Sequence, residues 1–366
     1  MKSLKLAGAL GAVLALAALT LPASGQNVDP ALAKSWAFMQ ENMPGVPYDL
    51  LASACDEGKV TIYHGTWSAA QQNQKKAFEE AFPCVTVDLF ELQAGILRQR
   101  FVAESQAGQH TADIIQDSDV GSLDTHAKAG LLAEYKITSD AAFSDGAKHS
   151  GVWYPLRRGM VGIAWNTDLV TDEEAAVLKD WSGMFDKRWE GRVGLVGPAT
   201  GGIVLATWYS WYKGLGPDVF QRIAAVKPRI FPGTVPSAAA LASGDIAVLY
   251  GASETGLLPL MMDGAPVKWT LPEPAIGPLS GQAISKNAPH PSAARLYHEY
   301  AFSEEGYGAW QQLGGAPART NFKDLREVVS KPWYHFPSKF FDFPPAEVTA
   351  ANADMTRLFE QYVVPK

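Results

Sequence analysis

The sequence predicts an α/β protein built as two Rossmann-like lobes with a hinge and an interdomain cleft. Three observations predict it. Apolar runs of strand length alternate with helical patterns between Lys59 and Tyr135, as parallel strands joined by right-handed crossovers do. A second series of the same kind runs from Met160 to Leu271. The chain has 366 residues, more than one hydrophobic core usually takes.

The first 25 residues stand apart from this pattern. Lys2 and Lys5 form a short basic start, Leu6–Thr20 is uncharged and rich in Ala and Leu, and Ala23-Ser24-Gly25 offers small residues for cleavage. Residues 1–25 therefore read as a secretory signal peptide cut near Gly25. The apolar run falls short of the roughly 20 residues that span a bilayer, so export rather than anchoring is expected. Leu51-Ala52-Ser53-Ala54-Cys55 mimics a lipoprotein-processing box, but it lies far beyond the apolar run that such a box must follow.

The formal charge of −7 becomes two units more negative once Lys2 and Lys5 are removed. A mildly acidic chain without a basic cluster is a poor partner for nucleic acid or an anionic membrane. No low-complexity tract and no fixed-period repeat interrupts it.

Asp29–Glu41 and Tyr48–Cys55 read as helices leading into the strand Val60–Tyr63. Ser68–Phe82 has helical spacing, with Ser68 and Gln71 in the positions of a capping box, Ala77, Phe78, Ala81 and Phe82 as its buried stripe, and Pro83 as its stop. The strand Val85–Phe90, the helix Gln93–Ser105, the strand Ala112–Ile115 and the helix Val120–Gly130 follow. Ligands bind open parallel sheets beyond the carboxyl ends of the strands. The loops His64–Trp67, Glu91–Ala94 and Gln116–Asp119 are therefore expected on one rim.

Cys55 and Cys84 each precede a strand at its amino end. If those strands are neighbours, the two sulfurs start on one edge, and export permits their oxidation. Such a disulfide would stabilise by roughly 3–4 kcal/mol on the chain-entropy estimate. Two free thiols or a metal pair are the alternatives; no CxxC and no His at ligand spacing supports a metal, and none is expected.

Trp153–Gly159 leads into the strand Met160–Trp165, and the strands Val193–Val196, Ile246–Tyr250 and Val267–Leu271 complete the second series. Pro272–Pro278 returns the chain to Gly281–Ser285, to helices at Pro291–Phe302 and Glu304–Leu313, and to a terminal helix Asn352–Tyr362. The division this implies is 26–156 plus 272–366 for the first lobe and 157–271 for the second. Ligand would lie between them.

Gly197–Gly202 is the strongest chemical signal. A strand ends there, Thr200 can cap the next helix, and Gly201 and Gly202 bare backbone N–H groups at its positive end, an arrangement suited to an anion. The plainer reading is a capped helix with a tight glycine turn. Arg157 or Arg158 at the crossover could fork onto a carboxylate or phosphate, or form a surface ion pair. Asp117, Ser118 and Glu254 follow strands and could hold an amine, hydroxyls or a hard cation; Asp117 or Ser118 could equally cap a helix, the role favoured for Asp119. Trp67 could stack on a ring or an ammonium group, or pack under its loop. Catalytic signatures are weak. GxSxG, HExxH and the phosphate-binding GxxxxGK[ST] are missing, and the Ser210–Lys213 tetrad lacks its companion motifs. Neither an enzyme nor a cofactor is expected.

An ordered set of motifs gives a more specific reading. Gly58-Lys59-Val60-Thr61-Ile62-Tyr63, Ala77-Phe78-Glu79-Glu80-Ala81-Phe82, Ala112-Asp113-Ile114-Ile115 and Ala129-Gly130-Leu131-Leu132 come first. Gly162-Ile163-Ala164-Trp165-Asn166-Thr167, Gly191-Arg192-Val193-Gly194, Ala242-Ser243-Gly244-Asp245-Ile246-Ala247 and Gly314-Gly315-Ala316-Pro317-Ala318-Arg319 complete the set. Over nearly all of the mature chain it resembles the periplasmic solute-binding proteins of ABC importers, type II two-lobed class, and most closely the ferric-ion-binding branch. The resemblance implies capture of one small solute, closure of the lobes, and delivery to an ABC permease, which would be the only membrane contact of a periplasmic monomer. Iron binders of that branch use a Tyr pair where this chain has Glu254-Thr255, a His where it has Trp67, and a Glu where it has Ser118. The anion loop does match, at Thr200-Gly201-Gly202. The expectation is thus a small anionic organic solute (a phosphonate, phosphate ester or carboxylate) held by Thr200, Gly201 and Gly202, with Trp67, Asp117, Ser118, Arg157 and Glu254 around it. The alternative is a ferric-ion binder with an unusual ligand set from Asp117, Glu254 and Tyr250.

Overall fold

A computed structural model describes residues 28–364, apart from Thr66, Trp67, Trp333 and Asp342. The expected signal peptide and the Trp67 site lie outside the described residues. No described helix is long and apolar enough to cross a membrane.

Among the described residues, ten strands form two five-stranded sheets. In the first, β1 (Lys59–His64) pairs in parallel with β2 (Thr86–Glu91) and β3 (Ile114–Asp117). β4 (Trp153–Arg158) closes the first pass through this sheet. The chain then crosses to the second sheet through β5 (Val161–Asn166), β6 (Val193–Val196), β7 (Arg229–Phe231), β8 (Val248–Ser253) and β9 (Val267–Thr270). It returns as β10 (Leu279–Ile284), which lies antiparallel between β3 and β4. The orders are β2-β1-β3-β10-β4 and β7-β6-β8-β5-β9.

The three strands read as parallel between Lys59 and Tyr135 are parallel, and each sheet also takes in one antiparallel strand, β10 in the first and β5 in the second. β3 also ends two residues later than its apolar run. Gln116 and Asp117 look like loop residues, yet both are buried, because their polar groups are satisfied inside the lobe. Gln116 bonds Gln71 and donates to Gln282 at 2.7 Å, and Gln282 meets His298 Nδ1 at 2.9 Å. Gln71 therefore serves this buried chain of side chains instead of a capping box. The Ser68 hydroxyl, the other half of the expected box, bonds Glu91. Burial holds the His298 imidazole down to about 3, so it stays neutral.

Lys59 sits opposite Thr86 in the parallel β1–β2 ladder. That register brings the preceding cysteines together, and Cys55 and Cys84 are disulfide-bonded with Cα atoms 5.0 Å apart.

The second core is aromatic, with Trp181, Trp189, Trp208 and Trp211 all buried. Trp208 stacks on Phe220 at 5.0 Å between ring centroids. The helix Asn352–Tyr362 seals this core through Met355, Phe359 and Val363. The division drawn from sequence placed 272–366 with the first lobe. Spacing at four-residue intervals marks a buried stripe, but it does not say which core the stripe meets.

Just before it, the short helix Pro345–Ala350 packs on Val120–Lys128 of the first lobe. Gly121 admits the contact, because a Cβ there would collide with Thr349 Oγ1 and the Pro345 carbonyl. The last residues of the chain thus grip both lobes.

Candidate functional site

The glycine loop comes first. After β6, a 3-10 turn over Pro198–Thr200 leads to Gly201 and the helix Gly202–Leu215. Gly201 and Gly202 have φ of 75° and 53°, a region that side chains with a Cβ enter at a cost. Thr200 does not cap the helix. Its hydroxyl donates to the Gly197 carbonyl at 2.8 Å, and Gly201 stands at the N-cap. The Val204 and Leu205 amides turn back to the Gly201 carbonyl at 3.2 and 3.3 Å. The first-turn amides of Gly202 and Ile203 have no carbonyl one turn earlier in the helix, and the dipole of a 14-residue helix points its positive end there.

Ser118 of the first lobe lies directly opposite. A Cβ on Gly202 would sit 3.3 Å from Ser118 Oγ, so the two rims meet at this point. Its neighbours are engaged within their own lobe. Asp117 accepts two bonds from Arg98 at 2.7 Å, one from the Ser122 hydroxyl at 2.5 Å and one from the Asp119 amide at 2.9 Å. Its side chain is fully buried. Asp117 is therefore a structural anchor of the rim rather than a group offered to ligand. Asp119 caps Val120–Lys128 by accepting from the Gly121 amide at 2.9 Å, and Thr349 bonds it from the terminal segment. Burial raises the Asp119 carboxyl, against the pull of Arg98. His64 ends β1 buried, and desolvation lowers its imidazole below the usual range.

Between the lobes lies a cavity of about 400 Å³. Ser118, Asp119 and Gly202 form one end, Arg158 enters from the crossover, and Phe341 and Phe343 form an apolar wall. The Arg158 guanidinium donates to the Gly277 carbonyl at 2.8 Å and lies 4.6 Å over the Phe340 ring. Arg157, the neighbour picked out from sequence, points to the other face of the strand, as alternation requires. It is buried against Gly315, where burial and then the nearby Arg326 push its guanidinium down to about 10. The two arginines are indistinguishable in sequence, and only the register of β4 separates them.

A second cavity of about 430 Å³ is lined by Ser68, Thr255, Met262 and Arg326 among others. Glu254 borders it at the start of the helix Glu254–Met262. Its carboxylate forms a buried interlobe ion pair with Arg326. Arg326 also holds Asp324, at 2.7 Å, and Tyr334. Glu254 Oε2 and Ser253 Oγ are buried without a partner among the described residues. The Tyr250 phenol is buried and donates to the Met184 carbonyl at 2.6 Å; desolvation raises it far above the ordinary tyrosine range.

The structure thus brings Ser118 and Gly202 together, with Thr200 and Gly201 in the loop beside them. It places Glu254 at the neighbouring cavity and turns Asp117 and Arg157 inward. Sequence reasoning missed Phe341, Phe343 and Arg326, which lie in a stretch without strand or helix periodicity. Among the described residues, no three His, Cys, Asp or Glu side chains are grouped to hold a metal ion.

Residues 73–336 match the family model described as bacterial extracellular solute-binding protein. The chain belongs to this family. Solved structures agree on the fold. Iron-bound HitA from Pseudomonas aeruginosa is similar at a TM-score of 0.71 and 20% identity, over 84% of this chain and 99% of that one. IdiA (FutA) from Trichodesmium, in complex with iron and citrate, is similar at 0.69 and 19%, over 83% and 99%. AfuA from Actinobacillus pleuropneumoniae, with fructose-6-phosphate bound, is similar at 0.66 and 20%, over 84% and 98%. No curated protein sequence matches the chain. At such identities the likeness speaks for a two-lobed solute-binding fold and leaves the cargo to the residues.

Proposed function

We propose that this protein captures a small anionic organic solute (a phosphonate, phosphate ester or carboxylate) between its lobes in the periplasm and hands it to an ABC permease. The observation that carries the reading is the meeting of the Gly202 helix start with Ser118 at one end of a cavity of about 400 Å³. Amides at a helix N-terminus favour an anion, and Arg158 at the same cavity adds positive charge. The volume falls in the range of small-molecule sites and far exceeds what a bare ion fills. Lobe closure about the crossings 158–161 and 270–279 would enclose the solute.

A ferric-ion cargo has less support. It asks for hard anionic oxygens, yet Asp117 is saturated by Arg98 and Ser122, Glu254 is paired with Arg326, and the Tyr250 phenol donates into its own core. AfuA, similar in fold, holds a sugar phosphate. The test is a thermal-shift titration with phosphonates, sugar phosphates, carboxylates and Fe(III). An organic anion is expected to raise the melting temperature. The reading is overturned if Fe(III) alone does so and a phenolate-to-iron absorption band develops.

A further inference from the structure

The wall of the interlobe cavity comes from an unexpected part of the chain. Phe341, Phe343, Pro344, Pro345 and Val348 all line it, and all lie past residue 336, where the family match ends. The segment is anchored rather than draped. The Ala275 amide donates to the Lys339 carbonyl and the Phe341 amide to the Ala275 carbonyl, each at 2.8 Å, which fixes the segment to the returning crossover. Phe341 packs against Gly214, where a Cβ would not fit. Phe343 meets Tyr209 edge-on at 5.4 Å, and the Tyr209 hydroxyl donates to Glu347 at 2.9 Å. The Phe341 and Phe343 rings lie nearly parallel, 5.7 Å apart and inclined by 16°.

Both rings stay half-buried with the cavity before them. The remaining wall holds Ile276, Pro278 and Leu279. Phenylalanine and proline rings do not yield as lysine or methionine chains do, so such a wall selects by shape. Ring pairs also attract beyond the area they bury.

We propose that the solute is an aromatic acid, its anionic group at the Gly202 helix start and its ring against Phe341 and Phe343. The inference rests on the anion reading above and adds the class of the solute's body. It makes the terminal segment, which lies beyond the part that matches the family model, a specificity element.

The test compares acids with one head group and different bodies: phenylphosphonate against methylphosphonate, and benzoate against acetate, by calorimetric titration of the full-length mature protein. The phenyl member of each pair is expected to bind at least ~30-fold tighter, given the apolar area a ring buries. Phe341→Leu and Phe343→Leu, which keep apolar bulk and the anchored segment, are expected to shrink that advantage to below ~5-fold. Melting curves confirm that the variants fold. Equal binding of phenyl and methyl acids in the wild type overturns the inference and leaves the anion reading intact. Full retention of the phenyl advantage in both variants also overturns it. If the wild type binds none of the four acids, this inference is overturned, and the titration with sugar phosphates and Fe(III) decides the anion reading separately.

Discussion

In the first lobe, four parallel strands flank one antiparallel strand, β10, in the order β2-β1-β3-β10-β4; the second repeats the plan around β5 as β7-β6-β8-β5-β9. Both lobes therefore put the carboxyl ends of parallel strands on the facing rims. What they place there differs. The first lobe ends β3 in Asp117, a carboxylate held by four donors from its own lobe. The second ends β6 in a glycine loop that offers backbone amides. Behind these rims, one core carries a chain of buried amides and a disulfide, and the other is packed with tryptophan. One topology thus yields a rim built for rigidity and a rim built for contact, and the chemistry is local to the residues rather than to the fold.

The sharpest way to break this comparison is Asp117→Ala. Removing the buried carboxylate takes away both hydrogen bonds that Arg98 donates to it and leaves the more distant Asp119 as its ion-pair neighbour, which should cost about 3–5 kcal/mol, seen as a lower urea midpoint. Solute affinity should change little, and a large selective loss of binding with normal stability would place Asp117 in the site after all. Next in size is Cys55→Ser with Cys84→Ser. The pair is separated by 29 residues, and opening a loop of that length should lower stability by about 3–4 kcal/mol. Denaturant unfolding with and without a reductant measures it, and only the wild type should respond to the reductant.

Gly202→Val should give the opposite profile. A branched side chain at φ of 53° and facing Ser118 should cost about 1–2 kcal/mol of stability. Calorimetric titration should show the anion weakened by tenfold or more, as about 1.4 kcal/mol corresponds to tenfold. Unchanged affinity would remove the glycine loop from the binding site. The smallest effect concerns acid. Burial alone would raise the Asp140 carboxyl, but bonds from Lys148, Ser150 and Tyr154 outweigh it and bring the group down to about 2. A folded value below the unfolded one means its contribution is complete above about pH 4 and fades as the pH falls toward 2. Solvent screening holds the loss below about 1 kcal/mol. Asp140→Asn should flatten that part of the stability–pH curve, and an unaltered slope would refute the assignment.

The strands β1, β2, β3, β5, β6, β8 and β9 and the glycine loop were legible because apolar runs and glycines carry their own local signal, whereas β4, with two arginines at its end, and the three-residue β7 do not read as strands. Val193–Val196 matches β6 end to end. The polar ends of β3 and β8 were not legible. Gln116, Asp117 and Ser253 belong to strands because remote partners or burial keep them there, and hydropathy sees neither. β10 could be read as a return to the first lobe, but its place between β3 and β4 depends on pairings far apart in sequence. The site was half legible for the same reason. Gly202 and Ser118 announce themselves by type and position, whereas the choice of Arg158 over Arg157 turns on strand register. The roles of Phe341 and Phe343 turn on where an irregular segment is pinned.

The gripping of both lobes by the final residues bears on the order of assembly. Residues 161–270 form the second sheet as one uninterrupted stretch, while the first sheet must wait for β10. During synthesis the second sheet can thus pair its strands while the first still lacks β10. The tryptophan core is then still incomplete, because Met355, Phe359 and Val363 follow every strand in the sequence. The terminal helix acts as a closing stitch, and a chain cut short before it would leave the tryptophan core open to solvent with every strand already in place.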